Sequence, residues 1–298
     1  MMHLLITLSL VASIGDTARI IILHTNTIHG AVAPQPATWI NPDFPPPVGG
    51  ADAAIAAISA VRDEAQKEGA YVLLLDAGEA VGGGPVGLWF TVQPVLDYMN
   101  RAGYDAMEPG VRELMMGPDS LVRMREKADF PFLCSNLRRA DDTLQNPPYV
   151  VPYKIFDFDS VRVGVFGLVS EASFIFMPFW TRDNYFFSRE VETARKMAHF
   201  LRDEKKVDIV VALTHIGLAR DTLLIDSVPD IDVIVGGFDG RGMREPYESP
   251  YTHGIVVRTY ERLTSIGRLD LFFDKKDRTI VGYKWKSISL SLEEVGEE

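Results

Sequence analysis

Polar residues follow the uninterrupted apolar run 20–23, at the point where a buried strand would end. They begin with His24, Thr25 and Asn26, and the stretch closes with His29 and Gly30. Because ligands collect beyond the carboxyl ends of strands in α/β sheets, we expect chemistry between His24 and Gly30. Imidazoles at such a position can bind metals or transfer protons.

Two later strand-like runs end in the same way. Residues 71–75 lead into Asp76 and Glu79, and residues 207–213 lead through a threonine into His215. Carboxylates and imidazoles are common ligands of zinc and related divalent metals. These loops are therefore further candidates for a functional site.

The three loops resemble motifs of the 5'-nucleotidase family of dinuclear metallophosphoesterases. That family has His-Thr-Asn-Asp-Ile-His-Gly in the first loop, Asp-Ala-Gly-Asp in the second and Ser/Thr-His-hydrophobic-Gly in the later one. The resemblance implies that His29, Glu79 and His215 stand at metal-ligand positions, with Glu79 one methylene longer than the bridging aspartate. Thr27 replaces an aspartate that is a ligand in the family.

The remaining family positions are substituted. Residues 109–113 stand where the family has Gly-Asn-His-Glu after one further residue, so Val111 replaces a ligating asparagine and Arg112 replaces the catalytic histidine. A later loop, Gly-Gly-His-Ser-His in the family, has lost both histidines, to Phe238 and Gly240. The resemblance therefore implies that no catalytic residue remains.

Only His29, Glu79 and His215 remain as candidate metal ligands. A dinuclear site needs anionic and imidazole ligands that fix two ions about 3.5–4 Å apart. We therefore predict that these residues are vestigial ligands and that no cofactor is bound. The alternative is one weakly bound divalent ion, Mn, Zn or Fe.

Arg112 raises a separate question because an arginine stays charged and cannot act as a proton donor. One interpretation is that it forms an ion pair with Glu79 inside the former active site. The other is that it binds an anion, together with Arg241, where the substrate phosphate would lie in the family.

The resemblance extends over residues 20–287 and implies a four-layer α/β/β/α sandwich of two mixed β-sheets, metallophosphoesterase-like. Pattern alone predicts only an α/β protein, with strands such as 161–168 and helices over 51–68 and 190–204. Residues 130–135 are strand-like, and Cys134 within them is predicted to be a buried, inert thiol.

Composition argues against nucleic-acid binding and against an intramolecular disulfide. The chain has 298 residues, 47% of them hydrophobic and 24% charged, as in an ordinary globular protein. A formal charge of −11 without a basic cluster argues against a nucleic-acid partner. The single cysteine permits no intramolecular disulfide.

The N-terminus predicts export. Residues 1–15 are mostly apolar or small and resemble a secretory signal peptide, although no lysine or arginine precedes the apolar run. The alternatives are a misassigned start and an uncleaved anchor. We expect a periplasmic or extracellular protein with a single domain over 16–298, no C-terminal nucleotide-binding domain and no transmembrane span after signal removal.

Two classes of function follow. The first is a catalytically degenerate, pseudoenzyme member of the family that acts as an exported binding protein or complex subunit, with a protein partner outside the cytoplasm. It would use the proline-rich loop 34–47 and the aromatic segment 174–187, although a loop folded onto the core is the preferred interpretation of the latter. The second is a weak or altered metal-dependent hydrolase of phosphate or sulfate esters. Leu88 and Trp89 add a distant similarity to the thiosulfohydrolase of sulfur oxidation.

Overall fold

The computed structural model describes residues 16–82 and 84–290, without the side chains of residues 84–89. The predicted signal peptide over 1–15, the Leu88-Trp89 similarity and the end of the predicted domain, 291–298, lie outside this description. No helix in the described part of the chain is long and apolar enough to cross a membrane.

Strands run through the whole described chain. In order they are β1 (Thr17–Thr25), β2 (Gln35–Pro36), β3 (Pro47–Val48), β4 (Tyr71–Asp76), β5 (Ala106–Met107), β6 (Leu137–Arg139), β7 (Tyr153–Phe158), β8 (Val161–Val169), β9 (Tyr185–Phe187), β10 (Ile209–His215), β11 (Val233–Gly236), β12 (Tyr247–Glu248), β13 (Ile255–Val257), β14 (Ser265–Asp274) and β15 (Thr279–Ser289).

Helices connect many of these strands. They are α1 (Ala51–Glu68), α2 (Gly84–Ala102), α3 (Val111–Met115), α4 (Pro118–Lys127), α5 (Ser173–Phe176), α6 (Phe179–Arg182), α7 (Glu190–His199) and α8 (Leu218–Ser227). Helix α1 has the predicted bounds and ends at Gly69, whose φ of 66° is the left-handed conformation that glycine adopts most easily.

Two mixed sheets form the centre of the molecule. The first has the strand order β15-β14-β1-β4-β5, and the second has the order β12-β13-β11-β10-β8-β7. Strands β1 and β4 are parallel, as are β8, β10, β11 and β13. Their carboxyl ends carry the loops singled out in the sequence.

Strand β1 shows how the layers are built. Ile20 and Ile22 belong to the apolar layer between the two sheets, which also contains Val165 of the second sheet. Ile21 and Leu23 point the other way and pack with buried residues of helix α1. A third apolar layer joins the second sheet to helices α7 and α8. The predicted four-layer α/β/β/α sandwich is confirmed.

Two secondary-structure predictions differ from the structure. Residues 130–135 form only isolated bridges, through Phe132 and Leu133, although Cys134 is buried as predicted. The helix predicted over 190–204 ends as an α-helix at His199 and continues as a π-helical turn, Phe200–Glu204.

The aromatic segment 174–187 is only partly folded onto the core. Tyr185 and Phe187 are buried, whereas Ile175 is 81% exposed, and Phe179 and Trp180 are each 66% exposed. The preferred interpretation, a loop folded onto the core, is therefore wrong for the two short helices in this segment.

Candidate functional site

Backbone hydrogen bonds hold the first two loops side by side beyond β1 and β4. The amide of Thr27 donates to the carbonyl of Gly78 at 2.8 Å, and the amide of His29 donates to that of Glu79 at 3.0 Å. Thr27, His29 and Glu79 all have positive φ, between 51° and 57°. Non-glycine residues hold this conformation where the surroundings fix it, which is common at functional sites.

The structure brings His29, Glu79 and His215 together. Nε2 of His29 lies 2.8 Å from Oε2 of Glu79, and Nε2 of His215 lies 3.6 Å from Oε1. The two carboxylate oxygens therefore face different imidazoles. His215 is fully buried, while the side chains of His29 and Glu79 are slightly exposed.

The charges of this cluster support one another. Burial raises the pKa of Glu79, but the facing imidazoles of His215 and His29 outweigh this effect and hold that pKa at about 2. Burial lowers the pKa of His215, and the Glu79 carboxylate outweighs it, so that this pKa is raised. The Nδ1–H of His215 donates to the carbonyl of Ala77 at 2.7 Å, which fixes the ring.

Glu113, on helix α3, ties the loops of the site to one another. Its fully buried carboxyl group accepts hydrogen bonds from the backbone amides of Gly110 at 2.8 Å, Val81 at 3.0 Å and Glu79 at 3.1 Å. Burial raises the pKa of Glu113. This residue therefore holds the backbone that carries Glu79.

Phe238 lies beside the buried imidazole of His215. The two ring centroids are 5.4 Å apart with their planes at 70°, and Phe176 contacts the Phe238 ring from the surface at 6.2 Å. The φ of Phe238 is 94°, a value that non-glycine residues rarely adopt. An apolar ring thus occupies the space next to His215.

The residues present do not fit a dinuclear metal centre. Val111 and Phe238 offer no ligand atom, Gly240 has no side chain, and the buried hydroxyl of Thr27 carries no charge. Among the described residues, no group of three or more His, Cys, Asp or Glu side chains is arranged to hold a metal ion. The prediction of vestigial ligands stays a prediction.

Arg112 does not pair with Glu79, so the predicted ion pair is wrong. Glu79 has its two histidine partners, and no hydrogen bond or ion pair joins Arg112 to any residue in the described ranges. Successive helical residues point about 100° apart, so the burial of Val111 and Glu113 at the start of α3 turns Arg112 away. The side chain of Arg241 is exposed. The anion site stays a prediction.

Sequence reasoning missed a buried ion pair beneath this site. Arg258, directly after β13, is fully buried, forms an ion pair with Asp239 and donates to the carbonyl of Gly237. The only signal was an acidic residue, Asp239, inside the substituted loop after β11. No pattern marked Arg258.

Sequence reasoning also missed Glu108, which follows β5. It is fully buried, and neither carboxyl oxygen has a hydrogen-bond partner in the part of the chain that the structure describes. Gly167 in β8 leaves room for it, because a Cβ there would overlap the carboxyl group. Burial raises the pKa of Glu108 well above its ordinary value.

Glu108→Gln should therefore stabilise the protein increasingly as the pH rises. Above about pH 4.5 the unfolded chain releases the Glu108 proton while the folded chain keeps it, so the wild type loses up to about 1.4 kcal/mol per pH unit. Denaturant unfolding of both proteins between pH 5 and pH 8 measures the gap. Glu126→Gln, at an exposed position, controls for the lost charge. If the stability difference between Glu108→Gln and the wild type shrinks as the pH rises, Glu108 is not protonated in the folded protein.

Comparison with known proteins gives relatives of one kind, although no protein-family model matches the chain. The 5'-nucleotidase of Rattus norvegicus is 31% identical over 308 residues, covering 94% of this chain and 51% of that protein. A crystal structure of a 5'-nucleotidase precursor from Thermus thermophilus has a TM-score of 0.77 at 25% identity, covering 92% of this chain and 55% of that one.

A third similarity concerns the fold alone. The sulfate thiohydrolase SoxB of Thermus thermophilus gives a TM-score of 0.80 at 17% identity, covering 92% of this chain and 57% of that one. The chain spans about half the length, or less, of the curated relatives it matches.

Proposed function

Because this chain belongs to the catalytic-domain family of the 5'-nucleotidases, we propose that it is a catalytically inactive member that works as an exported binding protein or complex subunit. The observation that carries the proposal is the arrangement of Glu79, whose two oxygens face two separate imidazoles. The three retained donors thus form two incomplete pairs instead of one converging set.

Neither pair supplies enough ligands for a catalytic metal. Each would offer one imidazole and one carboxylate oxygen, whereas catalytic zinc sites take three protein ligands and in-line attack on phosphorus uses two fixed ions. The Phe238 ring beside His215 adds no ligand atom. These facts support an inactive site without excluding metals elsewhere.

The binding role is supported by exposed apolar side chains around the loops of the site. Phe176, Phe179 and Trp180 are exposed on the helices that follow β8, and the rings of Phe179 and Trp180 contact each other with centroids 5.1 Å apart. Phe176 links this surface to Phe238. Contiguous exposed aromatic side chains are typical of protein interaction sites. The proposal that the protein is exported rests on the sequence of residues 1–15, which resembles a secretory signal peptide.

The protein as purified should contain well under one equivalent of Mn, Zn or Fe per chain, because each half of the donor set is incomplete. Its hydrolysis of AMP or bis-p-nitrophenyl phosphate with added Mn should match that of His215→Ala and of buffer. Elemental analysis and product release measure both. Two tightly held metals, or activity that His215→Ala abolishes, would refute the proposal.

The second candidate is a weak metal-dependent hydrolase, favoured by the proximity of His29, Glu79 and His215. A single tightly held metal that His215→Ala removes would support it.

The separate anion-site hypothesis for Arg112 and Arg241 predicts that phosphate or sulfate raises the melting temperature of the wild type but not of Arg112→Ala.

A further inference from the structure

A cleft of about 670 Å³ opens beside the substituted loop after β11. Three segments line it: the loop of residues 35–48, the turn of residues 260–265 and the end of β15. Gly240 also lines it. The volume lies within the range of small-molecule sites.

Aromatic side chains line one part of this cleft. Trp39 is 68% exposed, although tryptophan usually buries most of its surface. Tyr260 is 41% exposed, and its ring packs so closely on Gly242 that a Cβ there would lie 2.6 Å from the ring. The cleft therefore offers a fixed ring at Tyr260 and an open indole face at Trp39.

Charged groups line another part. Among the described residues, the guanidinium of Arg262 has one hydrogen bond, a long one of 3.4 Å to the side-chain oxygen of Gln35. The carboxylate of Glu261 lies against Gly240, where any Cβ would overlap it. Neither Glu261 nor Arg262 forms an ion pair with a residue of the described ranges. One acid and one base leave the cleft without net charge.

Hydroxyl groups complete the lining. Ser287 and Ser289 are two residues apart on β15, so their side chains stand on the same face of the strand. No hydrogen bond occupies either hydroxyl among the residues that the structure describes. Each can donate one hydrogen bond and accept two.

We propose that this cleft binds a neutral sugar, with the apolar face of a pyranose ring on Trp39. The sugar hydroxyls bind the Glu261 carboxylate, the Arg262 guanidinium and the serine hydroxyls, since a hydroxyl both donates and accepts. A phosphate ester would be attracted by Arg262 and repelled by Glu261, so the two charges together give it no advantage, and a fully apolar ligand would leave these polar groups desolvated. The inference does not depend on whether the metal site is inactive.

The test titrates the full chain with methyl α-D-glucopyranoside, methyl α-D-mannopyranoside, methyl β-D-galactopyranoside and cellobiose, followed by saturation-transfer NMR and calorimetry, and screens a glycan array. AMP and inorganic phosphate are the comparators. At least one saccharide should bind, and Trp39→Ala should weaken it by about tenfold or more through lost stacking and buried area. Glu261→Gln should weaken it as well.

Tyr251→Ala is the matched control, because Tyr251 is an aromatic residue of similar exposure, 77%, outside the cleft. It should leave sugar affinity unchanged. Binding of no saccharide in the panel or on the array would overturn the proposal. So would an equal loss in Tyr251→Ala, or binding of AMP or phosphate that Arg262→Ala abolishes while sugars do not bind. None of these outcomes bears on metal content.

Discussion

Replacing Glu113 by alanine should lower the free energy of unfolding by about 3 kcal/mol or more, because three buried amides lose their acceptor together and each such loss costs about 1–3 kcal/mol. The amides are those of Glu79, Val81 and Gly110, all within 3.1 Å of the carboxyl oxygens. Glu113 is fully buried, so bulk water does not reach these amides in the folded wild type. Denaturant unfolding followed by circular dichroism measures the change.

Glu113→Gln is the matched control, because its amide oxygen can still accept while its NH₂ group cannot. The free energy of unfolding of Glu113→Gln should lie between those of the wild type and Glu113→Ala. This variant keeps the test valid if the alanine variant does not fold. An alanine variant within about 1 kcal/mol of the wild type would contradict the role of Glu113, since even one orphaned amide costs that much.

The sequence predicted the layers because burial follows simple periodicities. Ile20 and Ile22 face one layer and Ile21 and Leu23 the other, so a strand covered on both faces appears as an uninterrupted apolar run. Helix α1 was predicted with correct bounds because its apolar spacing and its terminal glycine agree.

The motifs predicted which residues meet but not how their side chains pair. His29, Glu79 and His215 lie together, but each imidazole faces its own oxygen of Glu79. The pairing of Glu79 with Arg112 failed because it depends on the direction of one residue at the start of α3. A difference of one position along a helix turns a side chain by about 100°.

Other features have little or no local signal in the sequence. The buried cluster of Arg258 and Asp239 joins residues from two loops, and the burial of Glu108 depends on a glycine in a distant strand. The π-helical turn after α7 also escaped prediction, because its residues continue an ordinary helical pattern. Such features arise from tertiary packing.

The pair of Arg258 and Asp239 is asymmetric in burial, and this asymmetry decides what each substitution does. The Arg258 side chain is fully buried, whereas that of Asp239 is 31% exposed. If Arg258 is removed, water can reach Asp239. If Asp239 is removed, a buried guanidinium that stays charged loses its nearest counter-charge.

Asp239→Ala should therefore destabilise the protein by about 3 kcal/mol, near the lower end of the range for a broken buried ion pair. The cost is limited because Asp221 remains as a second acidic group near Arg258. Burial raises the pKa of Asp221 to about 7, although the Arg258 charge acts to lower it. Arg258→Met should lower the free energy of unfolding by less. The double variant Arg258→Met with Asp239→Ala should be more stable than Asp239→Ala alone. Denaturant unfolding measures all three variants. Equal costs for the two single variants, together with simple additivity in the double variant, would show that the pair does not control stability here.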